Sequence, residues 1–139
     1  MTSPDVIIIG SGMGGATLAA ALAPTRATWV PLGLARLRER GYDQTRAIAR
    51  RFCRGVGWPA PRPLLRRTRD TAAQSATGGA ERWANVAGAF EPVATVAGET
   101  IALFDDVMTT GATVSAAAET LKRAGARQVV VIVAARAPV

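Results

Sequence analysis

Thr100-Ile101-Ala102-Leu103-Phe104-Asp105-Asp106-Val107-Met108-Thr109-Thr110-Gly111-Ala112-Thr113 is the stretch from which the fold of this chain is read. Four apolar residues feed two adjacent acids, and a turn rich in hydroxyls and glycine then opens a helix. The apolar run predicts a strand over residues 100–104 that ends in Asp105-Asp106. Val114, Ala118 and Leu121 share one side of a helix predicted over residues 111–124 and closed by Gly125. Further on, Val129-Val130-Val131-Ile132-Val133 lies in a strand over residues 128–134 whose composition suits burial on both faces. Strands alternating with helices argue for an α/β fold with a mostly parallel sheet flanked by helices.

The turn has a legible chemistry. Thr109, Thr110 and Thr113 offer hydroxyls, Gly111 lets the backbone close in, and Ala112 stands at the helix start. Amides at a helix start point toward an anion, so a phosphate monoester suits the turn. Asp105 and Asp106 can accept from sugar hydroxyls or face the water shell of a magnesium ion. Together these groups describe a cradle for a sugar 5-phosphate.

Working outward, Val6-Ile7-Ile8-Ile9 reads as a buried strand, followed by a glycine turn and a helix over residues 16–22 that ends near Pro24. Trp29-Val30 reads as a short strand stopped by Pro31. Residues 34–40 are basic with apolar spacing and are broken by Gly41, and residues 44–53 pattern as an amphipathic helix. Residues 55–63 form a loop, and Pro63-Leu64-Leu65 opens a second strand. Residues 68–80 carry almost no bulky apolar side chain and read as a mobile loop, and residues 89–96 read as extended.

The 139 residues suit one hydrophobic core. The chain has no histidine, which excludes a Ser-His-Asp triad and a histidine-ligated metal, and its single cysteine, Cys53, excludes an internal disulfide framework. The formal net charge is +7, and residues 26–69 hold twelve arginines against Glu39 and Asp43. That stretch is a candidate anion surface, because arginine grips phosphate with a planar fork of donors. Residues 6–25 are uncharged, but the four glycines at positions 10, 12, 14 and 15, and Asp5 ahead of them, argue against a membrane span or a secretion signal. The expectation is a cytoplasmic protein.

Gly10-Ser11-Gly12-Met13-Gly14-Gly15 fits G-x-G-x-x-G with Gly10, Gly12 and Gly15, between a strand and a helix. Asp5 to Gly15 resembles the start of flavin-dependent oxidoreductases of the glucose-methanol-choline type, which implies FAD or NAD binding. The resemblance stops after Gly15. The acid expected about twenty residues on, to hold a ribose, is missing, which argues against bound FAD.

The turn quoted first resembles the binding motif for 5-phosphoribosyl 1-pyrophosphate (PRPP) in type I phosphoribosyltransferases. Val30-Pro31-Leu32 and Arg36-Leu37-Arg38-Glu39-Arg40-Gly41-Tyr42-Asp43-Gln44 resemble a ComF-family segment, with Asp43 where that family usually has Asn. Arg67-x-Arg69 with Thr71 and Gln74, then Glu81-Arg82, Asn85-Val86, Gly88-Ala89-Phe90 and Ala134-Ala135-Arg136, are similar to the blocks that follow. The resemblance divides the chain into a Rossmann-like strand, turn and helix of foreign appearance over residues 1–28 and a phosphoribosyltransferase-like domain, N-terminally truncated, over residues 29–139. It implies transfer of phosphoribose from PRPP to an unidentified nitrogen acceptor, with release of pyrophosphate. Asp105 and Asp106 would hold ribose hydroxyls and Mg2+, mainly through substrate or water. Thr109, Thr110, Gly111, Ala112 and Thr113 would hold the 5-phosphate, and Arg40, Arg67 and Arg69 the pyrophosphate. The family's link to DNA uptake leaves single-stranded DNA, competence proteins and a homodimer open as partners. A non-catalytic nucleic-acid-binding module on the same fold is the alternative, and a flavin-binding fragment a third.

Overall fold

Alternating apolar residues in the last third of the chain build the centre of the structure. A computed structural model describes residues 4–10, 13–70 and 79–138. Its elements run β1 (Val6–Ile9), α1 (Met13–Leu22), β2 (Arg26–Trp29), α2 (Leu34–Arg40), α3 (Gln44–Val56), β3 (Leu65–Arg67), α4 (Gly79–Val86), β4 (Phe90–Pro92), β5 (Thr100–Met108), α5 (Ala112–Arg123) and β6 (Gln128–Arg136). Four strands form a parallel sheet in the order β1-β6-β5-β2, and β3 pairs with β4 in a separate antiparallel ribbon. The α/β architecture with a parallel sheet flanked by helices is the one expected.

Side chains of successive strand residues point to opposite faces. Ile101, Leu103, Val129, Val131 and Val133 therefore share one face, where they pack with Val114, Ala117, Ala118 and Leu121 of α5 and with Leu64, Leu65 and Phe90 of the ribbon. Ala102, Phe104, Val130 and Ile132 share the other, against Ile8, Ala27 and Trp29 of neighbouring strands and Ala49 and Cys53 of α3. Burial on both faces explains why β5 and β6 read as continuous apolar runs. Burial also pushes the Cys53 thiol up to about 11, so it stays protonated at neutral pH.

Both central strands outrun their predicted ends. The ladder continues through Asp105 opposite Val133, Val107 opposite Ala135 and Met108 opposite Arg136. The two acids therefore lie within β5 itself, since the neighbouring strand supplies backbone partners that local sequence does not reveal. Helix α4 was not anticipated, and residues 71–78, including Thr71 and Gln74, lie outside the described residues.

The glycine motif near the N-terminus has a packing role. Gly10 takes φ +84°, and a Cβ on Gly15 would stand 3.1 Å from the Gly10 carbonyl oxygen and 3.3 Å from Ile8 Cγ2. Gly12 lies outside the described residues. The neighbour of β1 is β6, whereas a dinucleotide fold sets the next strand in sequence beside the first. At the opposite end of β1, Asp5 accepts from the Val129 amide at 2.7 Å and pairs with Lys122 at 2.7 Å. Burial works to raise its carboxyl, but the Lys122 hydrogen bond and charge, with the Val129 amide, outweigh it and hold the group below its usual value. Among the described residues, no helix is long and apolar enough to cross a membrane.

Asp43 joins α3 to the sheet. One carboxylate oxygen caps the helix by accepting from the Arg46 amide at 3.1 Å, and the other accepts from the Trp29 indole at 3.0 Å. The Arg46 guanidinium lies 5.5 Å from the Trp29 ring centroid. Asp43→Ala should lower stability by about 1–2 kcal/mol through the lost cap and indole bond, while Asp43→Asn, which keeps an acceptor, should lose less. Urea unfolding of both variants measures this, and equal losses would show that the acceptor oxygens are not what matters.

Candidate functional site

Strand β2 leaves the sheet where the chemistry begins. Its last bond to β5 runs from the Val30 amide to the Phe104 carbonyl at 2.9 Å. Beyond that point the two acids serve the backbone: Asp105 Oδ1 accepts from the Asp106 amide at 2.9 Å, and Asp106 Oδ1 from the Val107 amide at 2.8 Å. The two carboxylates stay close enough to interact with each other. Asp105 is 9% exposed and Asp106 is half-buried. Burial, with the charge of Asp106 adding to it, pushes the Asp105 carboxyl up to about 7, while Arg67 pulls the other way.

The turn after β5 forms as the hydroxyl and glycine pattern requires. Gly111 takes φ +83°, the left-handed conformation that favours glycine, and caps α5 with no side chain of its own. Thr110 Oγ1 accepts from the Ala112 amide at 3.4 Å. The first turn of α5 carries no acid, so its amide-derived positive potential is not locally neutralised. Thr109 is exposed, Thr110 and Thr113 are half-buried and Ala112 is buried. The turn lies at the carboxyl end of a parallel sheet, where open α/β folds bind ligands.

Of the three arginines singled out, Arg67 is the one in electrostatic reach of Asp105. It is half-buried on β3, donates to the Pro31 carbonyl at 3.4 Å and sets its guanidinium 5.3 Å from the Phe90 ring centroid. Burial lowers its pKa, and the like charge of Arg36 adds to that, against the opposing charges of Asp70 and Asp105. Arg69 turns toward the carbonyl of Ala87. Arg40 is exposed in the last turn of α2, which ends at the left-handed Gly41. The structure thus brings Arg67 to Asp105 and adds Arg36, Asp70 and the β2 exit at Pro31 and Gly33. Arg36 opens the basic box quoted above, but nothing in its spacing distinguishes it from Arg38 or Arg40.

Two adjacent carboxylates, one of them part-exposed, offer hard oxygen ligands. Among the described residues no group of three or more carboxylate, cysteine or histidine ligands gathers at one point. This donor set fits an ion such as magnesium, which keeps most of its waters and is shared with substrate oxygens.

The raised Asp105 carboxyl sets a pH dependence. The unfolded chain loses this proton near 3.8 and the folded chain near 7, so stability falls as pH rises through that window. Asp105→Asn carries no such charge. Its stability relative to the wild type should rise by about 2–4 kcal/mol between acid and mildly alkaline pH. Urea unfolding across that range checks this, and a difference independent of pH would mean that Asp105 titrates as an ordinary carboxyl.

Comparison with known proteins identifies one family. The family described as phosphoribosyl transferase domain matches residues 2–139. No curated protein and no solved structure matches the chain. With nearly the whole chain covered, including the strand that carries Asp105 and Asp106 and the turn at Gly111, this chain belongs to the phosphoribosyl transferase domain family.

Proposed function

We propose that the chain binds PRPP together with Mg2+ and transfers the phosphoribosyl group to a nitrogen nucleophile. The observation that carries this is the pair Asp105-Asp106 at the end of a buried parallel strand, followed at once by the Gly111 turn and an α5 start free of acids. Amides and hydroxyls of residues 109–113 hold the 5-phosphate, and the two acids face the ribose hydroxyls. Arg67 faces the pyrophosphate, and Arg36 adds positive charge beside it. The nitrogen lone pair forms the new bond at C1 of the ribose. The bond from C1 to the pyrophosphate oxygen breaks, its electron pair leaves with pyrophosphate, and the nitrogen gives up its proton to solvent.

Positive charge develops on the sugar and negative charge on the leaving group, so fixed charges are what this site contributes. Magnesium, held by Asp105 and Asp106 mainly through water and substrate, would supply further charge to the leaving pyrophosphate. The ordered blocks between Val30 and Arg136 support a ComF-like member of the family, and with it a role connected to DNA uptake.

A second reading, a nucleic-acid-binding module on the same fold, is favoured by α3. That helix carries Arg46, Arg50, Arg51 and Arg54 and no acid. Ala47, Arg50, Arg51, Arg54 and Gly55 line an open groove of about 610 Å³.

Calorimetric titration of PRPP with magnesium, at two salt concentrations, separates the two. Wild-type chain should bind with weak salt dependence, and Asp106→Asn should lose binding while remaining folded. Equal binding by the variant would remove Asp106 from the site. Failure of the folded wild type to bind PRPP, with steeply salt-dependent binding of single-stranded DNA instead, would favour the second reading.

A further inference from the structure

Gly33 has no side chain, and the space beside it is filled by another residue. A Cβ built there would stand 2.0 Å from Asp70 Oδ1. The second oxygen of the same carboxylate accepts from the Ala35 amide at 3.3 Å. Gly33 offers no capping side chain and the first turn of α2 holds no acid, so a carboxylate from a different part of the chain occupies this position.

The segment that delivers Asp70 is anchored. The Thr68 amide donates to the Ala89 carbonyl at 2.8 Å, the Thr68 hydroxyl to the Gly88 carbonyl at 3.3 Å, and Arg69 to the Ala87 carbonyl. Asp70 also lies in electrostatic reach of Arg67, which feels the charges of Asp105 and Arg36 as well and donates to the Pro31 carbonyl, two residues before Gly33. Arg36 and Arg67 carry like charge. An anion near them relieves their repulsion, and in the free protein Asp70 is an anion within reach of Arg67.

We propose that Asp70 is a resident anion of the pyrophosphate subsite, which occupies the Gly33 turn within electrostatic reach of Arg67 until an incoming pyrophosphate group displaces it. This rests on the phosphoribosyl reading given above. A pyrophosphate brings several negative charges to the donors that Asp70 serves, and like charges do not share such a place. Displacement reduces the observed affinity of the free protein, as any competing occupied state does. Glycine at position 33 is what admits the carboxylate, so Gly33 and Asp70 act as one device. Asp70 is thus a positioning residue: it does not enter the reaction, but sets how readily the leaving-group subsite fills.

The test is titration of inorganic pyrophosphate, with and without magnesium, into the full wild-type chain, Asp70→Asn and Asp70→Ala, with thermal melts confirming that each is folded. Asparagine keeps an acceptor for the Ala35 amide and removes the charge. Asp70→Asn should bind pyrophosphate about fivefold more tightly than the wild type, with the larger gain when magnesium is absent. Unchanged affinity would mean that Asp70 only caps α2. Weaker binding in magnesium would mean that it helps to hold the metal. Either result overturns the proposal. Titration of PRPP into the same proteins separates its failure from that of the phosphoribosyl reading. If PRPP binds and Asp70 makes no difference, the resident-anion idea alone falls, and if no folded protein binds either ligand, both fall.

Discussion

Strands β5 and β6 run side by side from Thr100 to Met108 and from Gln128 to Arg136, and the other elements are arranged about that ladder. Both strands are covered on both faces, by α5 and the β3-β4 ribbon on one and by α3 on the other. Each large apolar side chain buried there contributes about 1.5–3 kcal/mol. The backbone groups of such strands have no water to turn to, so the ladder must be completed by neighbouring strands. β1 adds to the outside of β6 and β2 to the outside of β5. Where β2 departs, after Phe104, the carboxylates of Asp105 and Asp106 accept the amides of the residues that follow them. The site begins at the point where the sheet stops supplying its own partners.

That placement has an electrostatic consequence. A carboxyl drawn nine-tenths out of water beside a second acid resists ionisation, and Asp105 titrates near 7 as a result. Arg67 opposes this from β3, and its own burial makes it a fixed charge rather than a solvated one. Opposed groups held in place by the core, with perturbed ionisation, are what a site that handles developing charge requires. The cationic groups nearby are not equivalent. Arg67 is held by Pro31 and Phe90, whereas the arginines of α3 stand on an exposed helix face.

The parts of the structure legible in the sequence are those whose pattern is local. Four β-branched or apolar residues in a row mark β1 and the centre of β6, and spacing at three and four residues marks α3 and α5, but β1 is an edge strand whose Ile7 and Ile9 are exposed rather than buried. The turn at residues 109–113 was legible because left-handed glycine and helix-start hydroxyls leave their signature in consecutive residues. What depends on contacts between distant segments was not. The extension of β5 through the two acids comes from pairing with β6. The selection of Arg67 over Arg40 and Arg69 comes from where β3 crosses the β2 exit. Asp70 stands far from Gly33 in the sequence, and only the fold brings its carboxylate into the gap a side chain would fill. Asp43, where the resembled family usually has Asn, is explained by two donors, one from its own helix and one from Trp29.

The central claim is that the Gly111 turn is a phosphate cradle. Its most direct test is an amide-resonance map of the isotope-labelled chain titrated with ribose 5-phosphate, a ligand that carries the sugar and the 5-phosphate but no pyrophosphate. The largest shifts should fall on residues 109–113 and on Asp106, and saturate together. Shifts centred on Arg50, Arg51 and Arg54 of α3, with the Gly111 turn unmoved, would contradict the claim and assign phosphate binding to the arginine face instead.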